Sequence, residues 1–225
     1  METDLKEIIS LGLIYGHRKT KTHPKMKVYV SMKKNEIDLL DPQATLDSLD
    51  KALNFIKEKV KAGGLMLAVG TQASAQEVIR NMAEESNLPY IIERWLGGTL
   101  TNFKVLNKRV AYYENLKRDI DEGRLEKYTK KERLKINREF AKLEKNFKGL
   151  VSLKKLPDLI FLVDPGVHDT AVREANRLSI PIVAVMDTDD DPEKIQYPIF
   201  ANDHARSSIN WIIEKVRGAL KDTNS

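Results

Sequence analysis

Four short apolar runs, three of them with a helical segment directly after, constrain the fold of this chain more than any other feature. They cover residues 65–69, 90–92, 159–163 and 182–186. Three of them end in Gly70, Asp164 and Asp187, and each of these residues precedes a segment with helical spacing. Continuous apolar runs are typical of strands buried on both faces, and parallel strands need a helical crossover. The sequence therefore predicts an α/β domain built on a parallel sheet.

Two further patterns lie ahead of the first apolar run. Residues 26–30 and 36–40 are separated by a polar segment, and we interpret them as an antiparallel pair of strands. Pro42 directly follows Asp41, as expected where a helix begins, and the apolar residues of 46–60 then form one stripe. A basic loop and hairpin over residues 15–41 are thus expected to precede the first long helix.

The alternation of strands and helices breaks between residues 103 and 150. Steps of three and four residues between apolar positions, typical of coiled-coil seams, recur there in two segments. The seams consist of Phe103, Leu106, Val110, Tyr113 and Ile120, then Ile136, Phe140, Leu143, Phe147 and Leu150. Thr129 and Glu132 form a capping-box pattern between the segments. We predict an antiparallel coiled-coil hairpin at 103–150, inserted into an α/β domain formed by 1–102 and 151–225.

The charges of the chain are segregated. The sequence has 38 Lys and Arg against 33 Asp and Glu, yet residues 15–34 contain seven basic residues and no acidic one. Residues 103–155 contain 17 basic and 8 acidic residues, which leaves 14 basic and 25 acidic residues elsewhere. Cationic segments on an acidic body favour a polyanionic partner, because each Lys or Arg placed on a phosphate releases counterions. A merely solvated charged face is the alternative interpretation for either segment alone.

Three groups of residues are candidates for contact with nucleic acid. The loop at 15–27 lacks an apolar period, so we expect it to contact phosphate and sugar rather than to fold against a core. Its candidates are His17, Arg18, Lys19, Lys21, Lys25 and Lys27. The second group, before the hairpin, is Arg94, Trp95, Gly97 and Gly98, where Trp95 offers a stacking face and Arg94 a phosphate fork. A structural turn with Trp95 filling a gap is the alternative there. Weaker candidates on the hairpin are Lys104, Lys108 and Arg109.

A phosphate-dependent enzyme is the main rival hypothesis. Residues 70–74 follow a strand and open a helix, and the acidic residues of 187–191 follow another strand, where α/β folds bind phosphate and Mg²⁺. Neither segment completes a glycine-rich phosphate fingerprint. The four histidines show no nucleophile–base spacing, and there is no cysteine. His17 and His23 lack a further ligand nearby. We therefore predict no catalytic residues, no cofactor and no metal site.

Location and partner proteins can also be inferred from the chain. The N-terminal segment is acidic where a signal peptide would be basic, and no run reaches the eighteen or so apolar residues that span a bilayer. We expect a soluble cytoplasmic protein without membrane contact. A free protein-interaction module, whose hairpin binds partner helices, is a third hypothesis, and it is compatible with nucleic-acid binding.

Several short motifs occur together in a fixed order between about residues 11 and 213. They are Gly16-His17, Pro24-Lys25-Met26, Val69-Gly70-Thr71, Arg94-Trp95-Leu96-Gly97-Gly98, Leu100-Thr101-Asn102, Thr129-Lys130-Lys131-Glu132, Leu156-Pro157-Asp158, Ile180-Pro181 and Asp187-Thr188. In these motifs the chain resembles the family of the second protein of the bacterial small ribosomal subunit. It departs from that family's usual motifs at Thr22-His23, where an aromatic residue and Asn are common, and at His204, where Asp is common.

The resemblance implies a fold, a role and a set of partners. The fold would be a flavodoxin-like three-layer α/β/α domain with a five-stranded parallel sheet and an inserted antiparallel coiled-coil helical hairpin. The role would be structural: binding small-subunit rRNA between head and body, among neighbouring ribosomal proteins, in the cytoplasm. Many relatives recruit the large multi-domain RNA-binding protein of the same subunit, which makes that protein a candidate partner.

Overall fold

Seven helices and eight strands make up most of the computed structural model, which describes residues 2–222 and side chains from residue 5 onward. The helices are α1 Glu2–Ser10, α2 Pro42–Lys61, α3 Ala73–Glu85, α4 Phe103–Asp121, α5 Lys130–Phe147, α6 Asp169–Arg177 and α7 Arg206–Lys221. The strands are β1 Tyr15–Arg18, β2 Val30–Lys34, β3 Ile37–Leu40, β4 Met66–Val69, β5 Tyr90–Ile91, β6 Leu159–Val163, β7 Ile182–Met186 and β8 Tyr197–Phe200. None of the helices between residues 2 and 222 is long and apolar enough to cross a membrane.

The main sheet has five parallel strands in the order β5-β4-β6-β7-β8. This is the strand order of flavodoxin-like folds, and it confirms the predicted fold class. Every residue of β4, β6 and β7 is buried, as the continuous apolar runs predicted. The runs did not indicate β8, because Tyr197–Phe200 is short and carries Pro198, which a sheet tolerates at its edge.

The two faces of the sheet are covered by different helices. Alternate residues such as Ala68 and Phe161 pack under α1, α2, α3 and α7. Their neighbours, such as Leu67 and Ile160, pack with residues of α4, α6 and the end of α5. Successive side chains of a strand point to opposite faces of the sheet, so each strand contributes residues to both cores. The result is a three-layer α/β/α arrangement.

A small antiparallel sheet of order β1-β3-β2 precedes the main one. The predicted strand at 26–30 was wrong: Pro24–Tyr29 is a 3₁₀ helix that buries Met26, and the strand is Val30–Lys34. His23 caps that helix by accepting from the Lys25 N–H, and Pro24 fixes its first turn. Asn35 and Glu36 both have positive φ, which allows the two-residue turn between β2 and β3.

The two helices α4 and α5 form a hairpin whose root belongs to the main core. Leu106, Val110 and Tyr113 of α4 are buried with Phe147 of α5 beneath the sheet. Farther out, the rings of Tyr113 and Phe140 stack with centroids 5.7 Å apart. The capping box of Thr129 and Glu132 is present at the start of α5. Coiled-coil packing toward the tip, and the division of the chain at 103–150, remain predictions.

Candidate nucleic-acid interface

The basic loop at 15–27 is attached to the body through its backbone. The His17 N–H donates to the Thr188 hydroxyl over 2.8 Å, and the His23 N–H donates to the Thr188 carbonyl over 2.8 Å. The Thr22 hydroxyl donates over 2.6 Å to the carboxylate of Asp38, which is buried. The expectation that this loop would not fold against a core was therefore wrong, because these polar contacts attach the loop and Met26 is buried in the apolar core.

Two of the six candidate residues in this loop are paired with carboxylates. His17 Nδ1 lies 3.0 Å from Asp187 Oδ2 and 3.4 Å from Asp189 Oδ1, and the hydrogen bond to Asp187 raises the pKa of the imidazole. The Lys25 ammonium contacts Glu193 and, at 3.5 Å, Asp191. The acidic 187–191 segment thus supports the basic loop, so His17 and Lys25 are less available to a phosphate than the sequence suggested.

The other four candidates of the loop face solvent. Arg18, Lys19, Lys21 and Lys27 are exposed. Among the side chains of residues 5–222, none of the carboxylates lies within 4.0 Å of these four cations. A cationic side chain that is exposed and unpaired can approach a phosphate without first breaking an ion pair.

The segment before the hairpin is organised by a residue that sequence reasoning missed. The Glu174 carboxylate of α6 accepts from Trp95 Nε1 at 3.1 Å, and from the N–H groups of Gly98, Leu100 and Thr101 at 2.8, 2.9 and 3.0 Å. It also accepts from the Thr101 hydroxyl at 3.1 Å. Burial disfavours the charged carboxylate, yet the bonds from Thr101, Gly98, Leu100 and Trp95 outweigh it and lower the pKa of Glu174.

The hydrogen bonds of Glu174 determine which candidate residues of this segment remain accessible to a ligand. Trp95 is only 9% exposed, and its indole N–H donates to Glu174. Its ring therefore fills a gap in the structure, as the alternative interpretation had it, and does not offer a stacking face. Gly98 has φ +89°, a conformation that favours glycine. Arg94 and Gly97 remain accessible to solvent. Glu174 lies more than 70 residues from its partners, and no local pattern signals such a contact.

The hairpin candidates lie apart from the basic loop. Lys104, Lys108 and Arg109 all lie in the first turns of α4, and all three are exposed to solvent. The loop before α4 follows β5, whereas the basic loop is attached to the segment after β7, and β4 and β6 lie between those strands. Three strand spacings separate β5 from β7 by about 14 Å. The structure therefore presents two cationic surfaces along one edge of the sheet rather than one patch.

The middle of that edge is acidic and holds the residues of the enzyme hypothesis. Gln72 directly precedes α3 at this edge, and its side-chain amide donates a hydrogen bond to the Asp164 carboxylate. Thr71 Oγ1 lies 3.1 Å from His168 Nε2, and burial lowers the pKa of that imidazole. The helix start at which other α/β proteins bind phosphate thus faces a carboxylate here, which opposes an anionic ligand.

Two buried carboxyl groups reinforce this acidic centre. Burial and the neighbouring Asp164 and Asp189 raise the pKa of Asp190 to about 8. Burial, with repulsion from Asp164 and Asp187, likewise raises the pKa of Asp203 well above its usual value. One oxygen of each, Oδ2 of Asp190 and Oδ1 of Asp203, has no hydrogen-bond partner within the described part of the chain.

Comparison with known proteins agrees with the fold and with the motifs along the chain. A family model described as ribosomal protein S2 matches residues 8–223. The small ribosomal subunit protein uS2 of Dictyoglomus thermophilum is 42% identical over 216 residues, covering 96% of this chain and 88% of that protein. The protein of the same name from Thermus thermophilus is 39% identical over 215 residues, covering 96% and 84%. That from Roseiflexus castenholzii is 42% identical over 215 residues, covering 96% and 82%.

The match extends from α1 to the end of α7, so it includes the sheet, the hairpin and both cationic surfaces. The relatives have this identity over more than four fifths of their own length, so most of each relative has a counterpart here. The chain therefore belongs to the ribosomal protein S2 family.

Proposed function

We propose that this protein is a structural constituent of the small ribosomal subunit, where it supports translation by binding rRNA and neighbouring ribosomal proteins in the cytoplasm. The observation that carries this function is the family match over residues 8–223. The protein is not an enzyme. The phosphate-dependent alternative has no support, and the carboxylate of Asp164 occupies the edge where a phosphate would bind.

We assign the main phosphate contacts to the exposed, unpaired cations of the basic loop, Arg18, Lys19, Lys21 and Lys27. His17 and Lys25 hold secondary positions, since each would have to share its charge with a carboxylate. Arg94, Lys104, Lys108 and Arg109 form the second cationic surface. Trp95, Gly97 and Gly98 set the path of the chain into the hairpin and so orient that surface.

The hairpin also provides a surface for neighbouring proteins. Val105 and Tyr112 of α4 are 50% and 43% exposed, and Leu134 of α5 is 53% exposed. Apolar side chains exposed beside cationic ones suit a mixed interface with both protein and RNA. Within the proposed function, the large multi-domain RNA-binding protein of the subunit is a candidate for this contact.

Replacing Arg18, Lys19 and Lys21 together by alanine tests the assignment. Affinity for small subunits that lack this protein should fall, and the slope of log affinity against log salt should flatten by about 2–3, at about 0.7–0.9 per phosphate contact. The measurement is sedimentation of labelled protein with such subunits over a range of salt concentrations.

A matched control removes the same charge elsewhere. Lys51, Lys57 and Lys61 all belong to α2, outside both cationic surfaces, and their replacement by alanine should leave the salt slope unchanged. An unaltered slope in the basic-loop variant, or equal flattening in both variants, would contradict the assignment.

A further inference from the structure

A cleft of about 280 Å³ lies beside β5, between α3 and the end of α5, and we call it the α3–α5 cleft. Strand β5 is the end strand of the main sheet, so one of its edges faces this cleft rather than a further strand. The charged side chains that line the cleft are the carboxylates Glu93 and Glu144 and the cations Arg80, Arg94, Lys145 and Lys148. Four cations against two carboxylates give the cleft a net positive charge.

Two arginines of the cleft have no ionic partner. Lys145 Nζ lies 2.9 Å from Glu93 Oε2, so these two charges neutralise each other. Among the side chains of residues 5–222, no carboxylate lies within 4.0 Å of the guanidinium of Arg80 or of Arg94. Arg80 is partly buried, and a guanidinium that has left water without gaining an acceptor costs free energy. An anion bound in the cleft would recover this cost.

The acidic neighbour of Arg80 on its own helix is engaged elsewhere. Glu84 lies four residues after Arg80 on α3, a spacing at which side chains of a helix meet. Its carboxylate instead accepts from the Tyr90 hydroxyl at 2.8 Å and lies 4.0 Å from Lys148 Nζ. Arg80 is therefore left available to a ligand that enters the cleft.

The outer edge of β5 adds a backbone donor to the same cleft. The Ile91 carbonyl accepts from the Gly70 N–H, so the backbone groups of Ile91 face β4. Because these groups alternate along a strand, the N–H of Ile92 points away from β4 and toward the cleft, which Ile92 lines. Within residues 2–222 this N–H donates to no acceptor. Arginine side chains beside an unpaired backbone N–H are the donors that phosphate oxygens accept from in nucleic-acid complexes.

We propose that the α3–α5 cleft binds a phosphate group of the rRNA backbone, held by Arg80 and Arg94. The inference rests on the proposed function and extends it, because the cleft continues the second cationic surface from Arg94 around the edge of β5 to α3. The planar fork of each guanidinium suits two phosphate oxygens. A phosphate in this position would bridge α3 to the root of the hairpin, so RNA binding would also fix the angle between the hairpin and the body.

Sedimentation of labelled variants with small subunits that lack this protein, over a range of salt concentrations, tests the proposal. Arg80→Ala should lower affinity about tenfold and flatten the slope of log affinity against log salt by about 0.7–0.9, the value of one phosphate contact. Arg80→Lys keeps the charge, so it should keep the slope. Glu144→Gln should raise affinity by about two- to threefold, because it removes a carboxylate that repels the phosphate.

Arg177→Ala is the matched control. Arg177 is an exposed arginine in the last turn of α6 and lies outside the cleft, so its removal should leave affinity and slope unchanged. The far-UV circular dichroism and the Tm of each variant report whether it is folded. An unaltered slope in a folded Arg80→Ala protein, or equal flattening in Arg177→Ala, would overturn the proposal. If Arg80→Ala does not fold, Glu144→Gln decides, and unaltered affinity in that variant overturns the proposal.

The triple variant of the basic loop separates this proposal from the proposed function. Flattening of the salt slope in the basic-loop variant, without flattening in Arg80→Ala, would remove the cleft as an RNA site and leave the proposed function intact. Flattening in neither variant would count against both.

Calorimetric titration with inorganic phosphate distinguishes RNA from a free anion as the source of the phosphate. We expect no saturable binding below about 1 mM, because a free phosphate lacks the neighbouring contacts that hold the RNA backbone at the cleft. Saturable binding at lower concentration that disappears in Arg80→Ala would assign the cleft to a free anion and would overturn its assignment to rRNA.

Discussion

Glu174→Ala is expected to lower the free energy of unfolding by about 3–5 kcal/mol, because it leaves several buried donors without an acceptor. Those donors are the indole N–H of Trp95 and the backbone N–H groups of Gly98, Leu100 and Thr101. Urea unfolding gives the free energy. The fluorescence of Trp95 should also move to longer wavelength as its segment opens to solvent.

Two further variants show whether the charge or the packing of Glu174 matters. Glu174→Gln keeps the size of the side chain but replaces an accepting oxygen by an amide that donates, and we expect a loss of about 2 kcal/mol. Arg173→Ala, one residue earlier on the exposed face of α6, should change stability by less than about 0.5 kcal/mol. A Glu174→Ala protein within about 1 kcal/mol of the unaltered chain would show that this network does not hold the segment.

The pH dependence of the same contribution has a definite sign. The pKa of Glu174 is lowered in the folded protein, so its ionised form stabilises the fold at neutral pH. This stabilisation is present above the pKa of an unfolded glutamate, about 4.3, and is lost as pH falls through the lower folded pKa. The stability difference between the unaltered chain and Glu174→Gln should therefore shrink in acid.

Gly149→Ala is the second substitution with a large expected effect, a loss of about 3 kcal/mol or more. Gly149 lies in the short 3₁₀ helix Lys148–Leu150 after α5, and a Cβ there would overlap the carbonyl oxygen and ring of Tyr90 in β5. The closest of these atoms belongs to the backbone, so a side-chain rotation cannot relieve the overlap. Chemical unfolding measures the loss, and far-UV circular dichroism reports whether the hairpin still forms.

Gly218 provides the matched control with the opposite sign. It lies in α7, and a Cβ added there meets no atom within 4 Å apart from its chain neighbours and the backbone of the same helix. Gly218→Ala should therefore stabilise the protein by up to about 1 kcal/mol, because alanine favours helix and restricts the unfolded chain. Equal losses at both glycines would show that the close approach at Tyr90 is not what matters at Gly149.

The sequence predicted most where the physical cause is local. The strands β4, β6 and β7 follow from their apolar runs, and the start of α5 follows from the capping pattern of Thr129 and Glu132. The start of α2 follows from Asp41 and Pro42. The side chain of Asp41 accepts the N-cap hydrogen bond from the Gln43 N–H. In each case, residues within one turn or one strand fix the conformation, so a short pattern is sufficient evidence.

The features that were missed depend on contacts between distant segments. Glu174 is one acidic residue in an amphipathic helix until the fold places it beside Trp95. Asp203 and Asp164 are 39 positions apart in the chain, and only the strand order brings them together. The 3₁₀ helix at Pro24–Tyr29 was mistaken for a strand because Met26, Val28 and Val30 alternate, although Val28 is in fact 80% exposed.

The attachment of the basic loop to Thr188 and Asp38 has a consequence for the thermodynamics of association. Ordering the backbone of a flexible loop costs about 1–2 kcal/mol per residue, and a disordered cationic tail meets that cost when it binds RNA. In this protein the backbone around His17, Thr22 and His23 is fixed during folding instead. Association then orders only the long side chains, so the loop can dock as a preformed template whose entropy loss is confined to a few rotamers.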